Sequence, residues 1–136
     1  MKSRKKEIPS YFLEKISEGG GRLTRAKREV LLILTNAGEP LSIKDVDNHS
    51  TVDTSSVYRV VEFFELKGIL EKISYPDGEI RYALYREHHD HIICKKCFKT
   101  VHVPCSTGHT VKLSHDEFSS ITEHVVTYYG VCAQCA

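Results

Sequence analysis

The stretch EHHDHIICKKC, positions 87–97, sets three histidines, an aspartate and two cysteines side by side. Imidazole, carboxylate and thiolate are the side chains that hold borderline divalent cations. A second cysteine pair closes the sequence. Cys94 and Cys97 form one C-x-x-C knuckle, and Cys132 and Cys135 form another. Four thiolates in two knuckles fit a closed, tetrahedral structural zinc site. The knuckles are 34 residues apart, more than the roughly 15–20 of a common zinc ribbon, so the intervening chain must fold back on itself. The competing chemistry for C-x-x-C is thiol exchange, and the duplication favours zinc. Cys105 is left over. It reads as a small buried hydrophobe and takes no assigned role.

The HHDH run divides further. On a strand, successive side chains point to opposite faces. His89 and His91 then share one face, and His88 and Asp90 share the other, so one strand feeds two sites. Partners for His88 and Asp90 lie downstream, with His109 and His124 as candidates. Partners for His89 and His91 are expected from the first half of the chain, where Glu71, Glu79 and Glu39 are available. A site ligated by both halves would fix their relative angle, so that metal selects one arrangement.

The elements that must carry these groups fall into two chemically distinct halves. Positions 1–85 contain no cysteine and one histidine, His49, whereas positions 88–136 contain all five cysteines and the other seven histidines. The first half has helical periodicity. SYFLEKISEG stops at a glycine run. In LTRAKREVLLILTNAG, Leu23, Ala26, Val30, Ile33 and Leu34 recur at helical spacing, with Thr24 as N-cap and Gly38 as stop. SIKD, Ser42 to Asp45, has the form of a capping box. DTSSVYRVVEFFELKG gives a helix whose inward stripe is Val57, Val60, Val61 and Phe64, ended by Gly68. ILEKIS and EIRYALY then alternate around the turn sequence YPDG. Helices followed by a hairpin predict a winged helix-turn-helix. In the second half KTVHVP and HVVTYYGVC read as strands, with His124 opening the latter, and a short helix is expected at Asp116 to Ile121. The expected fold is α+β: a winged-helix DNA-binding domain at 1–84, a hinge at 85–88, and a small metal-binding α/β dimerisation domain at 89–136.

With the apolar stripe inward, the last helix of the first half turns Ser55, Ser56, Tyr58, Arg59 and Glu62 outward. Hydroxyls at a helix start contact phosphates, and Arg59 is suited to guanine or phosphate. Net charge is only +1, yet the first thirty residues hold nine Lys/Arg against four Asp/Glu. Arg22, Arg25, Lys27 and Arg28 would neutralise a nucleic-acid backbone. No apolar run is long enough for a membrane span. The N-terminus lacks the apolar core of a signal peptide, and five cysteines without a secretory context point to the cytoplasm. No H-E-x-x-H and no H-x-E with a following P-C-x-x-C occurs, so a zinc enzyme is not expected.

RLTRAKREVLLIL, SSVYRVVEFFELKGIL, RYAL, HHDHIICKKC and YYGVCAQC, in that order over roughly 20–136, resemble the ferric-uptake-regulator (Fur) family. The resemblance implies a homodimeric regulator that binds double-stranded operator DNA in a metal-dependent manner and represses uptake or stress genes. It assigns Cys94, Cys97, Cys132 and Cys135 to structural Zn²⁺. It assigns His89 and His91 to a regulatory site for Zn²⁺, Fe²⁺ or Mn²⁺, and His88, Asp90 and His124 to a second site, with His109 about where the family has Glu. Tyr58 and Arg59 match recognition-helix positions. Ala83 and Glu39-Pro40 stand where iron and peroxide sensors carry regulatory ligands, and Glu71 falls near a ligand position of the zinc-sensing branch. Zinc is therefore favoured as the sensed ion, with a peroxide- or thiol-sensing DNA-binding regulator as the alternative.

Overall fold

The computed structural model describes residues 5–85, 87–105 and 113–136. The chain forms two compact units. One runs up to Ser74 and resumes at Gly78, and the other comprises Tyr75–Asp77 and the chain from Glu87 onward.

In the first unit each helix begins and ends for a local reason. Helix α1 (Ser10–Ser17) runs into a single 3₁₀ turn at Glu18–Gly20. Gly19 and Gly20 there have φ of 71° and 84°, backbone that a Cβ disfavours. Helix α2 (Arg25–Ala37) opens with the Thr24 hydroxyl accepting the Lys27 N–H at 3.2 Å and ends at Gly38. Helix α3 (Ile43–His49) opens with the Ser42 hydroxyl accepting the Asp45 N–H at 3.1 Å. Helix α4 (Thr54–Leu66) opens with an Asp53 carboxylate oxygen accepting the Ser56 N–H at 3.1 Å. Each cap satisfies an amide that the helix itself leaves without a partner.

Strands β1 (Leu70–Ser74) and β2 (Ile80–Leu84) pair antiparallel, with Glu71 opposite Ala83. Leu41 adds a one-residue bridge to Tyr82, with N–H to O distances of 2.9 and 2.7 Å. Val57, Val60, Val61 and Phe64 of α4 meet Val30, Leu31 and Leu34 of α2, Val46 of α3, and Phe12 and Ile16 of α1. Burying each such side chain contributes roughly 1.5–3 kcal/mol. This is a winged helix-turn-helix, with α4 held from behind by an apolar core.

The second unit is a three-stranded sheet ordered β4-β3-β5. Strand β3 (Asp90–Cys94) is antiparallel to β4 (Thr100–Val103) and parallel to β5 (Thr127–Gly130). Parallel pairing needs a long crossover, and this requirement accounts for the wide spacing between the cysteine knuckles. Two expectations need correction. The helix expected at Asp116 to Ile121 is absent. Phe118 N–H instead donates to the His115 carbonyl at 3.0 Å, and Glu117 N–H to the His115 ring at 3.2 Å. A six-residue segment with Phe118 exposed has no buried face to offset helix nucleation. The final strand begins at Thr127, so His124 precedes it and does not open it.

Hydrophobic burial in this unit is slight. Among the described residues it is confined to Tyr75, Ile93 and Cys94, while Asp90 and His91 are buried beside them. Metal-ligating groups thus occupy an interior that aliphatic residues would usually fill.

Candidate metal centres

Cys94 is the last residue of β3, and Cys132 lies just beyond the end of β5, so the parallel strand pair delivers both knuckles to one end of the sheet. The four sulfurs of Cys94, Cys97, Cys132 and Cys135 lie within 4.8 Å of one another. Cys97 Sγ and Cys132 Sγ are 3.7 Å apart. That is far beyond a disulfide, and it matches the edge of about 3.8 Å of a tetrahedron with metal–sulfur bonds of about 2.3 Å. Backbone amides aim into the group: the Cys132 and Lys96 N–H groups each donate to Cys94 Sγ at 3.4 Å. The Cys132 amide first, then that of Cys97, pulls the Cys94 thiol down to about 6. Hydrogen bonding from Cys135 lowers Cys132 as well, while Cys135, beside Cys132 and Cys97, is pushed up to about 12. The crowded thiols thus shift one another in opposite directions. A divalent cation relieves that conflict, so the cluster is consistent with a zinc site.

The residues preceding and opening β3 feed two further clusters on opposite sides. His88, Asp90, Cys105 and His124 bring their donor atoms within 4.8 Å of one another. His88 Nε2 and His124 Nε2 are 3.1 Å apart, and Cys105 Sγ is 3.1 Å from His124 Nε2. Asp90 is 1% exposed, and its Oδ1 has no hydrogen-bond partner among the described residues. A buried carboxylate oxygen left in this state is costly, and a cation among these donors would satisfy it. His109 lies outside the described residues. Cys105, which had no expected role, stands in the cluster.

On the other side, His89 and His91 meet His102 of β4. The ring centroids are separated by 4.7 Å for His89–His91, 4.6 Å for His89–His102 and 4.9 Å for His91–His102. His91 and His102 are register partners across the β3–β4 ladder. His89 Nδ1 lies 2.8 Å from the Glu87 carbonyl oxygen. A carbonyl only accepts, so Nδ1 carries the proton and Nε2 keeps its lone pair for a ligand role. That Nε2 faces His91 Nε2 at 3.1 Å, an approach that needs a proton or cation between the two nitrogens. For metal–nitrogen bonds of about 2.0–2.1 Å, a tetrahedral edge is about 3.3 Å, close to both nitrogen pairs. His102, like Cys105, is a ligand-type residue that sequence spacing missed. Its signal was a histidine within the strand expected at KTVHVP.

In the first unit, Tyr58 and Arg59 are exposed on α4, and Arg22 and Arg25 are exposed at the start of α2. The Ser55 and Ser56 hydroxyls both donate to Asp53, which rigidifies the start of α4. Those bonds hold the Asp53 carboxyl down at about 2. Lys27 Nζ donates to the Arg22 carbonyl at 3.0 Å and lies 4.0 Å over the Phe63 ring. It braces α2 against α4, leaving the arginines as the outward charges of that stretch.

A family model described as the ferric uptake regulator family matches residues 18–134. The chain belongs to the ferric uptake regulator family. The ferric uptake regulation protein of Neisseria meningitidis is 30% identical over 132 residues, covering 90% of this chain and 92% of that protein. A structure of the ferric uptake regulator of Francisella tularensis with iron superposes with a TM-score of 0.64 at 27% identity, over 88% of this chain and 97% of the other. A zinc-bound manganese uptake regulator superposes with a TM-score of 0.62 at 26% identity, over 88% and 97%. Fur-family regulators thus share both units of this chain, and those neighbours carry different metal names on one architecture.

Proposed function

We propose that this chain is a cytoplasmic, metal-responsive transcription repressor, not an enzyme, that binds double-stranded operator DNA as a homodimer and controls metal-uptake or stress genes. The observation that carries this reading is the division of donors along 88–91. Two donor sets beyond the cysteine group arise from one short segment, more than a purely structural metal role requires. The Cys94, Cys97, Cys132 and Cys135 group takes structural Zn²⁺. His89, His91 and His102 form the sensing set, and the sequence match proposes Glu71 as a carboxylate donor to the same ion. His88, Asp90 and His124 form the second set.

Zn²⁺ is favoured over Fe²⁺ and Mn²⁺ because imidazole-rich sets suit it better than the oxygen-rich sets that harder ions prefer. Ser55, Ser56, Tyr58, Arg59, Arg22 and Arg25 form the DNA surface. Homodimerisation is supported by Val101, Ile92 and Tyr128, which sit side by side across the three strands and are exposed. The thiol-redox reading draws on the depressed Cys94 pKa. Cys94 is only 3% exposed, however, and oxidation requires access as well as thiolate.

The test is to select double-stranded sites from a random library with zinc-loaded protein. Affinity is then measured at controlled free Zn²⁺, Fe²⁺ and Mn²⁺. His89→Ala with His91→Ala abolishes the metal dependence, and unchanged metal dependence refutes the sensing assignment. Arg59→Ala weakens binding at every metal level by about 1–3 kcal/mol.

A further inference from the structure

Cys105 is reached from β4 by way of Pro104, whose fixed φ limits where the next residue can go. In the β3–β4 ladder Val103 is opposite Asp90. The chain leaving β4 therefore emerges beside the start of β3, where His88 and Asp90 stand. This register places a thiol 3.1 Å from His124 Nε2, with His124 itself 3.1 Å from His88. We propose that Cys105 is a thiolate ligand. It makes this cluster a two-imidazole, one-carboxylate, one-thiolate centre that selects a thiophilic borderline cation, zinc or cobalt, over manganese or iron(II).

The orphaned Oδ1 of the fully buried Asp90 is independent evidence that the cluster is built for a cation. Charge balance agrees. One thiolate and one carboxylate offset a divalent ion, and two neutral imidazoles complete four donors without leaving net charge in a poorly solvated site. Donor softness sets the preference, since thiolate raises affinity for zinc and cobalt far more than for manganese, which favours six oxygen-rich ligands. The proposal rests on the metal-responsive reading only in requiring that this cluster takes a cation.

Cobalt(II) separates the possibilities, because thiolate ligation produces a near-ultraviolet charge-transfer band that imidazole and carboxylate ligation do not. The full chain is prepared with zinc retained on the cysteine group, verified by metal analysis, and titrated with Co²⁺. Cobalt on the three-histidine set is silent in that band. The band is expected in the wild type and is expected to vanish in Cys105→Ser and Cys105→Asp with the zinc content unchanged. Cys105→Asp restores the charge. It still binds cobalt, and its preference for Co²⁺ over Mn²⁺ falls at least tenfold. A band that persists in Cys105→Ser with zinc in place overturns the proposal. So does cobalt that binds in an Asp90-dependent way with no band in the wild type. No Asp90-dependent cobalt binding at all removes the second cation site itself, and the thiolate assignment with it. The sensing role of His89 and His91 is tested separately by DNA affinity.

Discussion

The buried carboxylate of Asp90 makes a prediction with two signs. Among the described residues, one of its oxygens is buried without a hydrogen-bond partner. An unsatisfied buried polar group costs about 1–3 kcal/mol, and a charged one more. Asp90→Asn keeps the shape and removes the charge, so the metal-free second unit should gain about 1 kcal/mol. A saturating ion reverses the order. At a free zinc concentration about 100 times the dissociation constant, binding stabilises the wild type by about 2.7 kcal/mol. If losing the carboxylate weakens binding by about 100-fold, the same zinc stabilises the variant by only about 0.4 kcal/mol. The wild type is then ahead by roughly 1.3 kcal/mol with zinc and behind by roughly 1 kcal/mol without it. Hydrogen exchange of the β3 and β5 backbone amides along a urea series reads the second unit, with the cysteine group kept zinc-loaded in both proteins. Curves that fail to cross, with the variant weaker in both states, would show that protein groups already satisfy Asp90 and refute the reasoning.

Cys132→Ser removes one corner of the sulfur tetrahedron; metal analysis should show loss of the tightly held zinc, and hydrogen exchange loss of amide protection in β3 and β5, while the far-ultraviolet helical signal of the first unit persists. Ser42→Ala deletes the acceptor for the Asp45 amide at a 6%-exposed position and should destabilise the first unit by about 0.5–2 kcal/mol in chemical denaturation. Asp53 has a folded pKa depressed from 3.8 to about 2, so the unfolded chain binds more protons between those values. Its stabilising contribution is complete above the unfolded value and is lost as pH falls through about 2. Amide protection factors at the start of α4, corrected for intrinsic exchange, should therefore fall across that window, and those of an Asp53→Asn variant should not.

The first unit was legible because its signals are local. Thr24 and Ser42 each precede a helical period and cap it, and Gly38 and Gly68 stop helices in left-handed backbone, φ 71° and 70°. The alternation at 88–91 was equally local, and the structure brings His88 and Asp90 together on one side and His89 and His91 on the other. What the sequence hid depends on register. His102 reaches His91 because the chain reverses between Cys94 and Thr100, aided by a left-handed Phe98 at φ 64°, and no spacing rule encodes that pairing. Cys105 reaches Asp90 by the same ladder. The helix misread at Asp116 to Ile121 failed for a related reason. Composition allowed a helical turn, but whether it forms depends on a buried face, and Phe118 has none.

Segment 88–94 supplies donors to three clusters through one continuous backbone. An ion that stiffens this segment would lower the entropic cost of organising donors for the next, so binding at the three clusters is expected to be cooperative. The coupling is reciprocal: whatever factor the cysteine group adds to the affinity of the histidine sets, they return to it. Such a strand would act as a coincidence detector, the second ion's response threshold being set by whether the first is already in place.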